Sequence, residues 1–305
     1  MIKVSGLVKD FDGFRALDGV DMDVPGGSIY GLVGTNGAGK TTILKLLAGV
    51  LSADGGKAEI FGMPVGDNIR VKDRIAFIPD DLGYYSAYSM NEAERLLRGL
   101  YSRWDAETFG GIASAFGLDR GQKLSRFSKG MRKQAVFAMA LATEPDCLLL
   151  DEPIDGLDPV ARRKVWEHIV GASADRGMTT LVSSHNLREM EGFCDRIGII
   201  DHGAMKLERE LDDMTSGIHK LQVSFGAERD AAKGAYDELD TRASVRKISS
   251  VGSVDYLIVK GERDELLRWR DEKRPLVFDM VPMTLEEVFV YELGGENDAV
   301  KSIIG

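Results

Sequence analysis

The chain has 305 residues, 44% of them hydrophobic and 29% charged, with 49 acidic against 39 basic side chains and a formal charge of −10. Such a chain is globular in composition, with length for one large domain and a smaller one, and its acidity argues against general affinity for nucleic acid or acidic lipid. Any anion site must therefore be local.

From the N-terminus, MIKVSGLV, GVDMDVP and GSIYGLVG read as strands, and KTTILKLLAGVL follows with apolar residues at helical spacing. The start, MIKVSGLVKDF, alternates like a strand and lacks a signal-peptide core. No apolar run nears the roughly 18 residues of a membrane span, so a cytosolic chain is expected. KAEIFGM and RIAFIPD are short β-rich runs. From about residue 84 to 143 the pattern turns helical, clearest in MNEAERLLRGLYSRW and QAVFAMALAT. DCLLLDEP and MTTLVSSH are apolar without alternation, as strands of a buried parallel sheet should be. RIGIIDHGAMKLE reads as a hairpin turning at His202–Gly203. The texture then changes near residues 212–217. HKLQVSF, SVRKISS, VDYLIVK and PLVFDMV are strand candidates beyond it, and ERDAAKGAYDEL, RDELLRWRDE and TLEEVFVYELG helix candidates. The expected organisation is an α/β domain over 1–215 and a small α+β domain over 216–305. Cys147 and Cys194 lack zinc spacing and read as buried small hydrophobes.

One segment carries a chemical motif on its own. GTNGAGKTT, Gly34, Thr35, Asn36, Gly37, Ala38, Gly39, Lys40, Thr41 and Thr42, fits G-x-x-x-x-G-K-[ST] between a strand and a helix. Its glycines let backbone N–H groups face phosphate oxygens. Lys40 brings a positive charge to the β- and γ-phosphates, and Thr41 a hydroxyl for Mg²⁺. CLLLDEP ends an apolar strand in Asp151, which can hold Mg²⁺ through water, and Glu152, which can polarise an attacking water. His185 in LVSSHN stands at a strand's carboxyl end, where an imidazole can bond a γ-phosphate or simply meet nearby backbone. RFSKGMRKQ, Arg126 to Gln134, opens a helix, and such an opening either binds an anion or is an ordinary cap.

In this order the segments resemble an ABC-family ATPase, the nucleotide-binding subunit of ABC transporters. GTNGAGKTT is similar to its Walker A, CLLLDEP to Walker B, DGLDP (Asp155 to Pro159) to the D-loop and SSH to the H-loop. The resemblance implies a P-loop NTPase fold: a RecA-like core, an antiparallel β subdomain and a helical subdomain at about 84–143. It implies ATP and Mg²⁺ as cofactors, and adenine stacked on Phe11. FSKGM stands where the family has L-S-G-G-Q, the loop that binds the γ-phosphate of ATP held by the other subunit. Ser128 and Gly130 would thus complete a partner's site, in a homodimer or a heterodimer with a paralogous ATPase sandwiching two ATP molecules. Catalysis would rest on Glu152, His185 and Lys40, and the metal on Thr41, Asp151 and Asp80.

Two departures leave alternatives open. Lys129 replaces a glycine and either reaches the partner's γ-phosphate or points to solvent. Asp80, in FIPDD, replaces the family's glutamine, and either binds Mg²⁺ as a hard ligand or falls short of it. Together with MTLEEVFVYELGG near the C-terminus, these features are most similar to bacterial ABC-2-type ATPases of the YtrB-like group. That implies a separate polytopic membrane permease, with this chain peripheral on the cytoplasmic face of the membrane and no nucleic-acid partner. The region from Asp80 to about Leu100, with Tyr84, Tyr85 and Tyr88, would face the permease or cap the helical subdomain. A soluble ABC ATPase acting as a regulator, or on ribosomes or DNA, is the alternative; a single cassette, no long coiled-coil insert and the acidic charge weigh against the ribosome or DNA form.

Overall fold

The structure is a computed structural model and describes residues 1–83, 87–215, 217–226 and 229–292. The described residues divide into two compact units, 1–209 and 210–292.

In the first unit, β1 (Ile2–Phe11) and β2 (Phe14–Val24) form a hairpin. Its turn is Asp12–Gly13, both at positive φ, the backbone that matches strand twist in a two-residue connection. Phe11 and Phe14 are therefore cross-strand partners. β3 (Ile29–Val33) leads to α1 (Lys40–Leu47). β4 (Gly55–Ile60) and β5 (Met63–Pro64) join the hairpin in a four-stranded sheet of order β2-β1-β4-β5. A one-turn helix, α2 (Ile69–Lys72), precedes β6 (Ile75–Ile78). That turn is too short for hydrophobic periodicity to announce it.

The helical segment holds α3 (Met90–Leu100), α4 (Ala106–Ala115) and α5 (Lys129–Leu141). α3 starts in a capping box: Ser89 accepts from the Glu92 N–H, and Glu92 accepts from the Ser89 N–H. β7 (Cys147–Asp151) follows, then α6 (Pro159–Arg176), capped by Asp158 with proline at its first position. β8 (Thr179–Ser184), β9 (Arg196–Asp201) and β10 (Ala204–Glu210) complete a six-stranded sheet of order β10-β9-β3-β8-β7-β6. β3, β7 and β8 are buried at every residue. Each large apolar side chain so buried contributes about 1.5–3 kcal/mol. Both cysteines are free and buried, and burial pushes the Cys147 thiol up to about 12.

Asp146, just before β7, joins the helical segment to the sheet. It accepts from Arg103 at 2.8 Å and from Arg74 at 2.5 Å. Burial raises its carboxyl, but the two guanidinium bonds outweigh that and hold it below the usual carboxylate range. A depressed carboxylate stabilises the fold above its unfolded-chain value near ~4 and loses that contribution as pH falls through the folded value. The groups are a third or more exposed, so the contribution is about 1 kcal/mol. Asp146→Asn should lower the melting temperature at pH 7 by about 2–4 °C and flatten its decline in acid. Thermal melts from pH 7 to pH 3 check this.

In the second unit, α7 (Leu211–Thr215) precedes β11 (Ile218–Ser224), α8 (Arg229–Arg242), β12 (Ser244–Val251), β13 (Val254–Lys260), α9 (Arg263–Lys273) and β14 (Val277–Val281). The antiparallel order β12-β13-β11-β14 is a split βαβ arrangement. Leu221, Val223, Leu257 and Val259 pack on Leu239 of α8 and on Leu266 and Trp269 of α9. α10 (Leu285–Glu292) follows, with Leu285 and Val288 buried. The side chain of Phe289 and the whole of Leu293, two further apolar residues of the helix candidate TLEEVFVYELG, lie outside the described residues.

Candidate functional site

Strands β3, β8, β7 and β6 are parallel neighbours, so their carboxyl ends share one edge. Gly34, His185, Glu152 and Asp80 lie on the connections leaving them, and Asp151 closes β7. Such an edge is where open α/β sheets bind ligands.

The loop Gly34–Gly39 is held tightly against the sheet. A side chain on Gly34 would meet the carbonyl oxygen of Ile200 at 2.4 Å. Gly39, at φ 111, would bring one to 2.7 Å from Leu17. Both positions thus exclude a Cβ. Gly39 caps α1 without any side-chain hydrogen bond, which leaves the first-turn N–H groups for an anion. Lys40 is buried, 5% exposed, and donates to the carbonyls of Gly34 at 2.7 Å and Thr35 at 3.1 Å. Its ammonium also lies 3.5 Å from Glu152 Oε1. Burial lowers the Lys40 pKa, and the charge on Glu152 opposes that shift.

The acids are held from several directions. The Thr41 hydroxyl donates to the Asp151 carboxylate at 2.8 Å. Ser183 donates to Asp151 at 2.7 Å and accepts from the Glu152 N–H at 3.1 Å. Glu152 adopts φ 46, a left-handed conformation uncommon outside glycine. Its Oε2 lies 2.9 Å from His185 Nδ1. The carboxylate therefore sits between the lysine and the imidazole. Asp80 faces the same hollow, and its carboxylate is 3.1 Å from the ammonium of Lys133 on α5.

Phe11 and Phe14 stand at one side of this hollow of about 360 Å³, which is also lined by Asn36 to Thr42, Asp80 and Glu152. Both rings are exposed, so a flat base has two π faces available. A larger groove at Ile69, Arg98 and Leu100 has none of the phosphate-loop groups. Ser128 and Gly130 do not line the hollow. Ser128 is the N-cap of α5, accepting from the Met131 N–H at 3.2 Å. Lys129, which the sequence left between two directions, is 62% exposed and bonds Asp155 of the DGLDP turn at 2.7 Å. Tyr88 is exposed, whereas Tyr84 and Tyr85 lie outside the described residues.

Sequence reasoning did not single out Phe14, Lys133 or Ser183. Ser183 had a signal in the paired serines before His185, and Phe14 in its place across the Asp12–Gly13 turn. Lys133 had none, because its burial is a tertiary property.

Among the described residues, no group of three or more His, Cys, Asp or Glu could cage a metal. The facing hydroxyl of Thr41 and carboxylate of Asp151 are hard oxygen donors. Such a pair suits Mg²⁺, which typically takes one or two protein ligands and completes its shell with phosphate and water.

Fold and site define a P-loop ATPase. A model of the ABC transporter family matches residues 17–155. The chain is 38% identical to the daunorubicin/doxorubicin resistance ATP-binding protein DrrA of Streptomyces peucetius, over 71% of this chain and 67% of that one. It is 28% identical to the ABC transporter ATP-binding protein YtrB of Bacillus subtilis, over 97% of this chain and 99% of that one. A solved ATP-binding subunit of an ABC transporter superposes with a TM-score of 0.65 at 28% identity, covering 70% of this chain and 92% of that one. The chain belongs to the ABC transporter family as an ATP-binding protein.

Proposed function

We propose that this chain hydrolyses ATP to drive a separate polytopic permease, on whose cytoplasmic face it docks. The observation that carries the reading is Glu152, held beside an open phosphate loop between Lys40 and His185. No described helix is long and apolar enough to cross a membrane, in keeping with a separate membrane subunit.

Adenine stacks on Phe11, with Phe14 beside it. The N–H groups from Gly37 to Thr42 receive the phosphates. Lys40 leaves its carbonyl partners for the β- and γ-phosphates, which releases Glu152 to orient and polarise a water in line with the γ-phosphorus. His185 then steadies the γ-phosphate. Thr41 and, through water, Asp151 would hold Mg²⁺, which would supply charge neutralisation for the phosphates. Ser128 and Gly130 lie outside their own chain's hollow and close the site of a second chain, identical or paralogous. The unit beginning at Glu210 is an accessory or regulatory domain.

The direct test is phosphate release by the purified chain with Mg·ATP. Turnover abolished by EDTA and restored by Mg²⁺ supports the reading; no release under any condition contradicts it. Ser183 touches both acids, so Ser183→Ala should lower kcat about tenfold and raise the Mg²⁺ concentration needed for half-maximal turnover. A Mg²⁺ titration of phosphate release checks this.

A further inference from the structure

The backbone N–H and the backbone carbonyl of Glu152 are both held by side chains from other elements. Its N–H donates to Ser183 Oγ, and its carbonyl accepts from Lys133 Nζ at 2.5 Å. This grip falls on a residue with a left-handed backbone, φ 46, a conformation that persists outside glycine only when its surroundings hold it. Lys133 is itself unusual: its side chain is 4% exposed, while its carboxylate partner, Asp80, is 51% exposed. A lysine is seldom so buried, and taking an ammonium out of water requires compensation. Here the compensation comes from the loop after β6 and from the backbone of Glu152. One ammonium on the helix that Ser128 caps thus joins Asp80 to Glu152.

We propose that Lys133 is a positioning residue. It sets the backbone of Glu152, and it makes turnover depend on the charge at residue 80 through its own ammonium. Drawing the Asp80 loop away would leave the buried ammonium on the Glu152 carbonyl without its counter-charge. The ammonium therefore follows the carboxylate, and the peptide that carries Glu152 feels the movement. Asp80 acts in this way as the counter-charge of Lys133. The inference rests on the ATPase reading above.

The test uses the full chain as wild type, Lys133→Met, Asp80→Asn and the double variant. Phosphate release gives kcat, a fluorescent ATP analogue gives nucleotide affinity, and thermal melts report folding. Lys133→Met should lower kcat roughly tenfold or more while affinity stays within about twofold, the pattern of a group acting in the transition state. Asp80→Asn should lower kcat by a smaller factor without moving the half-saturating Mg²⁺ concentration. The double variant should be no slower than Lys133→Met alone, because the two residues act as one unit. Full turnover in Lys133→Met overturns the proposal, as do losses that multiply in the double variant. A Mg²⁺ requirement shifted by Asp80→Asn also overturns it, since that identifies a metal ligand. Should Lys133→Met not fold, the half-exposed Asp80 decides: Asp80→Asn as fast as wild type contradicts the proposal. Asp80→Asn slowed with unchanged affinity and melting, and Asp80→Glu restored, supports it. A wild type without phosphate release would instead refute the ATPase reading itself.

Discussion

Replacing Glu152 with glutamine should lower ATP turnover by about 10²-fold or more while leaving nucleotide binding intact. The size follows from the role. A positioned general base contributes roughly 10²–10⁴-fold, and glutamine keeps the shape of the side chain but cannot take a proton. The geometry explains why binding survives. Glu152 touches Lys40 at 3.5 Å and His185 at 2.9 Å, whereas the backbone N–H groups of the loop and of the first turn of α1 form the cradle independently of it. Removing the charge also removes a competitor for Lys40, so affinity should hold or tighten. Phosphate release beside equilibrium binding of a fluorescent ATP analogue separates the two effects. Turnover within about threefold of wild type would mean that the attacking water is oriented by another group.

The second large effect concerns Ser128. In its own chain it is a helix cap exposed to solvent and does not line the nucleotide hollow. If Ser128 meets the γ-phosphate held by a second chain, Ser128→Arg should lower turnover by about 10²-fold, as loss of a preorganised contact to developing charge does. Arginine also removes the cap, at about 1 kcal/mol. Ser128→Asp separates the causes: aspartate caps as well as serine but sets a negative charge against the phosphate. Both variants should lose turnover while melting stays within a few degrees of wild type. Turnover kept in Ser128→Asp and lost in Ser128→Arg would identify the cap, not a phosphate contact, as the function of this serine.

Much of the site was legible in the sequence because its chemistry is local. Gly34 to Thr42, Asp151 with Glu152, and His185 each sit at a strand's end inside a short run whose apolar pattern marks that strand. Buried parallel strands read as continuous apolar runs, which placed β7 and β8 and with them the acids and the histidine. What stayed hidden is non-local. RFSKGMRKQ shows a helix start, yet nothing in it distinguishes the solvated Lys129, held by Asp155 of the DGLDP turn, from the buried Lys133 four residues later. Burial of a helical lysine depends on what packs against that face. The order β12-β13-β11-β14 is hidden for the same reason: alternation shows that each strand exists, but not which strand it pairs with.

Closure of two chains around ATP can be read by light scattering on the Glu152→Gln protein with and without Mg·ATP. A chain that binds ATP without hydrolysing it should hold the closed state, since contacts that favour one state shift the population toward it. The expected result is a monomer without nucleotide, a dimer with Mg·ATP, and a monomer again when Ser128→Arg is added. A monomer throughout, with bound ATP demonstrated in the same sample, would contradict it and show that FSKGM cannot complete the site of an identical chain.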